Sequence, residues 1–298
     1  MSFIGDVRGA NEKVGKQFGL IGTPVGHSLS PAMHNAIYRE ADVEWFYAAY
    51  DCPTGKDAID MIEKVRLGHI DGLNVTMPYK RLAMDVSDWA DASAKAAGGA
   101  NVLVRRGANL CAYNTDGAGA VDAIALAGGL DMTQVIACVC GTGPTSSAIA
   151  CALVERGVKR VYLFSRDVSK AWDTVERIRS YLEFDQGVVL VPASYDDVFR
   201  IVPGCDVFVD ATPRGMNPDD EPIIDPTYFR SGQVVMDVVY NHGVTAIVEG
   251  ARKQGAIAID GSEMLVGQAV LAIQIWQREL GYNFPINRAT MRHLVVRE

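Results

Sequence analysis

The turn Gly141-Thr142-Gly143 constrains the fold of this chain more than any other feature, because it follows an apolar run and opens a helix-like stretch. The run, residues 135–140, is apolar on both of its alternating faces, which is typical of a central parallel strand covered by helices on each side. Glycines at 141 and 143 allow a tight turn, and a pyrophosphate can then bind at the helix N-terminus. The sequence therefore predicts the strand–turn–helix unit of a dinucleotide-binding fold, and an ordinary strand-to-helix turn without a cofactor is the alternative.

Residues in and after this turn are the candidate cofactor contacts. Ser146 replaces the third glycine of the usual fingerprint and is small enough for close helix–strand packing. A cation directly after the second strand can pair with the 2′-phosphate of NADP, whereas an acidic residue there favours NAD. Arg166 is followed by Asp167, so the sequence favours NADP and keeps NAD as the alternative. The cofactor-binding set predicted from these segments is Gly141, Thr142, Gly143, Pro144, Thr145, Ser146, Ser165, Arg166 and Asp167.

Short apolar runs alternate with longer helix-like stretches along almost the whole chain, a pattern that predicts the α/β class. In the first half we expect a helix at 116–127, a hairpin, and three strands; the strands are 18–22, 45–50 and 72–76, and the hairpin is 101–105 with 109–113. In the second half we expect a helix at 263–280 and strands at 135–140, 160–164, 188–191, 207–210 and 234–236.

This order predicts a two-domain α/β protein with a cleft between the domains. Residues 1–129 are expected to form an N-terminal α/β substrate-binding and catalytic domain, joined by C-terminal helices within 263–298. Residues 130–262 are expected to form a C-terminal Rossmann-like NAD(P)-binding domain. The length of 298 residues agrees with two domains of about 150 residues each.

Composition and charge exclude several classes of protein. With 49% hydrophobic and 21% charged residues, the chain is ordinary for a globular protein and unlike a disordered, collagenous or coiled-coil chain. Its formal net charge is -8 and it has no cluster of Lys and Arg, so we expect neither nucleic acid nor a membrane as a partner. No apolar run approaches the roughly 18 residues that span a bilayer. Residues 1–16 carry charges and no apolar core, so we do not expect them to be a secretory signal.

Cysteine and histidine usage favours a cytoplasmic protein without a metal. The 6 cysteines lie mostly in apolar stretches and lack zinc spacing, so we expect reduced, buried thiols. These are Cys52, Cys111, Cys138, Cys140, Cys151 and Cys205. The 5 histidines are scattered without ligand spacing, and no metal site is assigned.

Three segments of the first half are dense in small polar residues, and each lies where a predicted strand gives way to a helix. They are 26–31 (Gly-His-Ser-Leu-Ser-Pro), 74–80 (Asn-Val-Thr-Met-Pro-Tyr-Lys) and 113–117 (Tyr-Asn-Thr-Asp-Gly). Such positions bind ligands in α/β sheets. Each has a structural alternative: Ser28, Ser30 and Asp116 could cap helices, and Lys80 could be a solvated surface lysine.

With these segments beside the glycine turn, the chain resembles the shikimate dehydrogenase family, which includes quinate/shikimate dehydrogenases, over about residues 18–276. The motifs Ser-Leu-Ser-Pro, Asn-Val-Thr-x-Pro-x-Lys and Asn-Thr-Asp-Gly occur in the order and spacing of the family, and segments 237–240 and 260–269 match later ones. The resemblance implies an NADP-dependent oxidoreductase of aromatic biosynthesis that interconverts shikimate and 3-dehydroshikimate. It acts on a small shikimate-like cyclic hydroxy acid, and we expect a monomer or homodimer.

The resemblance also implies roles for single residues. Lys80 would be the general acid/base with Asp116 beside it, and Ser28 and Ser30 would bind the substrate carboxylate. The other expected substrate contacts are Thr76, Asn101, Asp116, Tyr240 and Gln268, and Thr212, Val238 and Gly261 would line the nicotinamide end. Gln268 has independent support, because it interrupts the apolar stripe of a predicted helix. A core amide with an internal partner is the alternative for that residue.

Departures from the family pattern cluster on the cofactor side. Val102 replaces Thr, Asp210 replaces Asn, and Pro144 replaces Gly and removes a backbone donor to the phosphates. The pair Ser262-Glu263 places a carboxylate next to the expected nicotinamide site, where it could repel the cofactor or change ring orientation. Two further functions therefore remain open. One is a paralogue that acts on quinate or an aminoshikimate with NAD or NADP, and the other is a non-catalytic regulator that keeps the ligand site.

Overall fold

The computed structural model describes residues 15–182, 187–217 and 219–296, which form two six-stranded sheets with helices packed on them. The strands of the first sheet are β1 (Lys16–Gly22), β2 (Trp45–Asp51), β3 (Gly72–Val75), β4 (Trp89–Ala90), β5 (Val102–Arg106) and β6 (Asn109–Tyr113). The helices between and after them are α1 (Ser30–Glu40), α2 (Gly55–Arg66), α3 (Lys80–Asp85), α4 (Ala92–Ala97) and α5 (Asp116–Gly128). The expectation about a secretory signal falls largely on residues 1–14, outside the described residues.

The second sheet follows the same alternation. Its strands are β7 (Ile136–Cys140), β8 (Arg160–Ser165), β9 (Val189–Ser194), β10 (Val207–Asp210), β11 (Val234–Asp237) and β12 (Ile257–Ile259). Its helices are α6 (Pro144–Glu155), α7 (Val168–Tyr181), α8 (Val198–Ile201) and α9 (Ala246–Lys253), and the chain continues into α10 (Ser262–Leu280) and α11 (Arg288–Val295). The predicted α/β class is confirmed. Strands β4 and β12, of two and three residues, are not predicted by the sequence pattern.

Strand order brings the ligand-binding edges together. The first sheet has the order β2-β1-β3-β5-β6-β4, with β1 parallel to β2 and β3, and with β5 and β6 as the antiparallel hairpin that the sequence predicts. The second sheet is entirely parallel in the order β12-β11-β10-β7-β8-β9. Strand β7 lies between β10 and β8, so the chain reverses its direction of winding at the carboxyl end of β7. Ligands bind at such switch points in open α/β sheets.

Helix α10 crosses from the second sheet back to the first. The ring of Trp276 stacks on Phe18 of β1 with centroids 4.4 Å apart, and its Nε1 donates to the carbonyl of Leu103 at 3.2 Å. Helices α10 and α5 meet at two glycines, since a Cβ on Gly267 would lie 2.9 Å from the Cα of Gly119. This close approach fixes α5, which begins at Asp116, against α10, which carries Gln268.

Each sheet has apolar side chains packed on both faces. The thiols of the six cysteines are free and buried, as the sequence predicts, and Sγ of Cys138 lies 3.0 Å from Sγ of Cys205. Within the described residues, no helix is both long and apolar enough to cross a membrane.

Candidate active site

A cavity of about 610 Å³ lies between the two sheets, where the carboxyl ends of their strands face each other. It brings together all of the predicted substrate and nicotinamide residues, and with them Thr145 of the glycine-turn set. The substrate and nicotinamide residues are Ser28, Ser30, Thr76, Lys80, Asn101, Asp116, Thr212, Val238, Tyr240, Gly261 and Gln268. The predicted residues that do not line it are Gly141, Thr142, Gly143, Pro144, Ser146, Ser165, Arg166 and Asp167, which lie along the carboxyl ends of β7 and β8.

Lys80 lines the cavity. It is the first residue of α3, and its Nζ donates to Oδ2 of Asp116 at 2.6 Å and to Oγ1 of Thr145 at 3.0 Å. The side chains of Lys80 and Asp116 are 15% and 7% exposed, so Lys80 is not a solvated surface lysine. Thr145 belongs to α6, so this contact joins the two halves of the molecule. The sequence places Thr145 among cofactor contacts and gives no signal that it meets Lys80.

Asp116 is held by a network of amides rather than used as a helix cap. Thr115 precedes α5 and makes no side-chain capping bond, and the backbone N–H of Asp116 donates to Oδ1 of Asn114 at 3.0 Å. Nδ2 of Asn101 donates to Oδ1 of Asp116 at 2.8 Å and to Oγ1 of Thr115 at 2.9 Å. A carboxylate in the first turn of a helix is also favoured by the helix dipole. The carboxylate of Asp116 is therefore held at both oxygens: Oδ1 accepts a hydrogen bond from Asn101, and Oδ2 accepts one from Lys80.

Gln268 combines the two roles that the sequence leaves open for it, a ligand contact and a core amide with an internal partner. Its Nε2 donates to the carbonyl of Leu265 at 2.9 Å, and its Oε1 lies 3.4 Å from Nδ2 of Asn101. The amide is therefore partly satisfied inside the protein and still lines the cavity. The amide group thus has capacity left for a ligand, because the nitrogen has two donors and the oxygen two lone pairs.

The two serines of the first motif lie at the start of α1. Oγ of Ser28 accepts the backbone N–H of Ser30 at 3.2 Å, and Leu29, which precedes the helix, makes no side-chain cap. Tyr240 lines the same cavity from the second half, and burial raises the pKa of its hydroxyl while the hydroxyl of Ser28 opposes that rise. Three hydroxyls therefore converge on one end of the cavity, a donor set suited to a carboxylate.

A series of buried hydrogen bonds holds Asn101, the residue that binds Asp116, in place. The hydroxyl of Tyr47 donates to Oδ1 of Asn74 at 2.8 Å, and Nδ2 of Asn74 donates to the carbonyl of Asn101 at 3.0 Å. The ring of Tyr47 stacks on His34 with centroids 4.0 Å apart, and burial lowers the pKa of His34 to about 3. Sequence reasoning quotes Asn74 only as the head of a motif and misses Tyr47, because a tyrosine in a strand carries no functional signal.

The glycine turn has the geometry of a pyrophosphate cradle. Gly141 has φ +105°, which an L side chain rarely adopts, and its N–H donates to the carbonyl of Phe164. Gly143 precedes α6, and a Cβ built on it meets no atom within 4 Å, so open space lies above the turn. Oγ of Ser146 folds back onto the carbonyl of Gly143 at 3.0 Å. Pro144 is the first residue of the helix, a position whose N–H has no intrahelical partner in any case.

At the end of β8, Asp167 serves as a helix cap. Its Oδ1 accepts the N–H of Ser169 at 3.0 Å and the hydroxyl of Ser169 at 2.7 Å, and these hydrogen bonds hold its pKa below the usual value. Ser165 is buried, and its Oγ accepts the N–H of Asp167. Arg166 is exposed between them. The Asp167 carboxylate therefore caps α7, and Arg166 is the cation of this strand end.

Glu263 differs from the sequence expectation. Its carboxylate forms ion pairs with Arg292 at 2.5 Å and Arg288 at 3.5 Å, both on α11, and it does not line the cavity. The expectation that a carboxylate at 263 acts on the nicotinamide site is wrong. The physical reason is that α10 turns this side chain towards the C-terminal helix.

Two buried carboxyls lie close to the residues that are predicted to line the nicotinamide end. Asp210 and Asp237 end the neighbouring strands β10 and β11 as register partners. Burial raises the pKa of Asp210 to about 7 and that of Asp237 to about 6. Gly261 lies beside them, and a Cβ there would come 2.1 Å from the carbonyl oxygen of Val238. Within the described ranges, no group of three or more His, Cys, Asp or Glu is arranged to hold a metal ion.

Comparisons with known proteins agree with this geometry. The family model "Shikimate dehydrogenase substrate binding domain" matches residues 20–103. The shikimate dehydrogenase (NADP(+)) of Methanopyrus kandleri is 33% identical over 280 residues, which are 93% of this chain and 95% of that protein. A shikimate dehydrogenase solved in complex with NADP+ is 31% identical, covers 94% of each chain and has a TM-score of 0.81. The Thermus thermophilus enzyme in complex with NADP(H) and shikimate is 28% identical, covers 94% of this chain and 98% of that one, and has a TM-score of 0.78.

Proposed function

The chain belongs to the shikimate dehydrogenase family, and on that premise we propose that it catalyses the reversible, NADP-dependent interconversion of 3-dehydroshikimate and shikimate. The observation that carries the proposal is the Lys80–Asp116 pair in the cavity between the two sheets, with Thr145 of α6 on the same ammonium. That arrangement puts a proton donor at the place where the substrate side and the cofactor side of the molecule meet.

The substrate side is built for an anionic, hydroxylated ring. Ser28, Ser30 and Tyr240 bind the carboxylate of the substrate with hydroxyl donors, which explains how a protein of net charge -8 holds an anion without a basic patch. The ring hydroxyls are bound by the other polar side chains that line the cavity, which are Thr76, Lys80, Asn101, Asp116 and Gln268.

Lys80 moves the proton of the reaction. In the direction of reduction its ammonium donates a proton to the oxygen that develops negative charge on the substrate, and in the direction of oxidation its amine takes that proton back. Asp116 holds Nζ in place at 2.6 Å, and Asn101 holds Asp116 in turn. Because the pair is nearly buried, its orientation is set by the protein and not by solvent, which is the condition for efficient positioned proton transfer.

The cofactor side fits a dinucleotide phosphate. NADP, when bound, supplies or accepts the hydride. The open turn from Gly141 to Ser146 and the N-terminus of α6 would hold its pyrophosphate, Ser165 and Arg166 would bind the adenosine ribose and its 2′-phosphate, and Thr212, Val238 and Gly261 would line the nicotinamide end. The commitment of Asp167 to the cap of α7 supports NADP over NAD.

The fold and the position of the cavity support a division of the chain into two domains. We divide it into a substrate-binding and catalytic domain over 1–129, joined by α10 and α11, and a Rossmann-like domain over 130–262. The packing of Trp276 on Phe18 and Leu103 supports the assignment of α10 to the first domain. We propose a cytoplasmic enzyme, monomeric or homodimeric, without a nucleic-acid partner, in keeping with its six free, buried thiols and its negative charge.

The test is the initial rate of oxidation of shikimate and of quinate, each with NADP and with NAD, followed at the absorbance of the reduced nicotinamide. We expect the combination of shikimate and NADP to dominate. A preference for quinate or NAD would assign the chain to a paralogous activity of the same site. No rate in any of the four combinations, with the protein folded, would contradict the proposed function.

A further inference from the structure

Arg177 of α7 lies behind the active site, at the contact between the two halves of the molecule. Its Nε donates to the carbonyl of Ala96 at 3.1 Å, and its Nη2 donates to the carbonyl of Ala97 at 3.4 Å and to Oγ of Ser147 at 2.9 Å. Ala96 and Ala97 end α4 in the first half, while Ser147 lies in α6 of the second half. One guanidinium therefore joins three helices, α4, α6 and α7.

These bonds complete the backbone hydrogen bonding at the end of α4. The last four carbonyls of a helix have no intrahelical partner and need another donor. The N–H of Gly98 donates to the carbonyl of Lys95 at 3.1 Å, and that of Gly99 donates to the carbonyl of Ala94 at 3.1 Å. Arg177 supplies the donors for the remaining two carbonyls, and a cation is also the charge that a helix C-terminus favours. Among the described residues its hydrogen-bond acceptors are neutral, so it is placed for the helix end rather than for a salt bridge.

The segment that leaves α4 runs directly into the catalytic residues. The N–H of Ala100 donates to the carbonyl of Lys80 at 2.8 Å, and the next residue, Asn101, holds Asp116. On the other side of Arg177, Ser147 is two residues from Thr145, which accepts from Nζ of Lys80. A shift of α4 against α6 would therefore separate Lys80 from the N-terminus of α6.

We propose that Arg177 is a positioning residue, which fixes the Lys80 segment of the first half against the cofactor-binding helix α6 of the second half. This inference rests on the proposed function for its kinetic part, since it concerns the distance between the substrate side and the cofactor side. Each ligand is bound mainly by one half, so loss of Arg177 leaves binding of each ligand nearly intact and lowers the rate of hydride transfer. A misplacement of about 1 Å can cost a rate about 100-fold.

The test compares Arg177→Met with Arg179→Met, a matched control on the same helix whose ion pair to Glu176 and bond to Leu190 stay within the second half. For Arg177→Met we expect kcat to fall about 10–100-fold, with KM for shikimate and for NADP changed less than about threefold. The kinetic isotope effect with shikimate deuterated at the oxidised carbon rises, because hydride transfer then limits the rate. For Arg177→Lys, whose single ammonium cannot reach all three acceptors, we expect a kcat between those of the parent and of Arg177→Met. For Arg179→Met we expect the kcat and KM values of the parent.

A second readout needs no catalysis. Amide hydrogen exchange at Ala100, whose N–H donates to the carbonyl of Lys80, should be faster in Arg177→Met and unchanged in Arg179→Met. If the parent protein does not oxidise shikimate, the proposed function fails while this exchange measurement still tests the role of Arg177. If Arg177→Met does not fold, Ser147→Ala removes the one bond to α6, and we expect the same kinetic pattern at a smaller, about 3–10-fold, loss of kcat. Unchanged kcat and unchanged Ala100 exchange, or a loss confined to KM, would overturn the proposal.

Discussion

Replacing Asp210 by Asn should stabilise the protein, and only above a defined pH. Asp210 is 1% exposed and lies beside Asp237 on the neighbouring strand. Its Oδ1 accepts the N–H of Thr212 at 2.9 Å, a bond that the amide oxygen of Asn can keep. Asn is also the residue of the family pattern at this position. The substitution therefore removes a buried ionisable group and little else.

The size of the expected gain in free energy of unfolding follows from the pKa of the Asp210 carboxyl. Burial raises the pKa of Asp210 from 3.8 to about 7, with the charge of Asp237 adding to the effect of burial. Between about pH 4 and pH 7 the folded protein holds a proton that the unfolded chain has lost, so the free energy of unfolding decreases as pH rises through this window. A pKa change of this size corresponds to at most about 4 kcal/mol. We expect Asp210→Asn to gain about 2–4 kcal/mol at pH 8 and close to nothing at pH 4.

The assay is chemical denaturation of the parent and the variant at pH 4, 6 and 8, with the difference in free energy of unfolding as the result. The difference is needed because His34, whose pKa burial lowers to about 3, makes parent and variant alike gain stability as pH rises from about 3 to 6.5. Asp219→Asn, an exposed carboxyl in the loop after β10, is the control for the change in net charge. A difference that does not depend on pH, or a variant less stable than the parent at pH 8, would refute the reasoning.

Three further substitutions test the assigned residues. Arg166→Ala should raise KM for NADP about 10–100-fold and leave KM for NAD within about twofold, because only the 2′-phosphate loses its charged partner. An equal rise in KM for both cofactors would show that Arg166 does not bind the 2′-phosphate. Ser28→Ala should raise KM for shikimate about 10-fold through loss of a hydrogen bond to a carboxylate, and an unchanged KM would show that Ser28 only caps the backbone N–H of Ser30. Gly261→Ala should lower the free energy of unfolding by about 1–3 kcal/mol, measured by denaturation, since its Cβ would lie 2.1 Å from the carbonyl oxygen of Val238; a variant as stable as the parent would contradict this close approach of the two backbones.

Much of this architecture could be predicted from the sequence because its signals are local. The apolar run before Gly141 and the two glycines predict β7, the turn and α6, and the structure places them there. The short strands β4 and β12 could not be predicted, because two or three residues carry no periodicity and exist only through their partners in the sheet.

At the site, residue types were predictable and long-range contacts were not. The motifs indicate Lys80 and Asp116, but nothing in the sequence brings Thr145 within 3.0 Å of Lys80, because 65 residues separate them. The same limit explains the wrong expectation for Glu263, whose partners Arg288 and Arg292 lie on a helix that follows much later. Side-chain direction depends on packing between elements, which composition and spacing do not encode.

The central claim is that Lys80, held by Asp116, moves the proton during NADP-dependent oxidation of shikimate. The most direct measurement is the steady-state kinetics of Lys80→Ala beside the parent, with shikimate and NADP as substrates. We predict a decrease in kcat of about 10²–10⁴-fold with little change in KM for shikimate, the usual contribution of a positioned acid/base group. A steep rise in KM with kcat preserved would contradict the account and make Lys80 a binding residue.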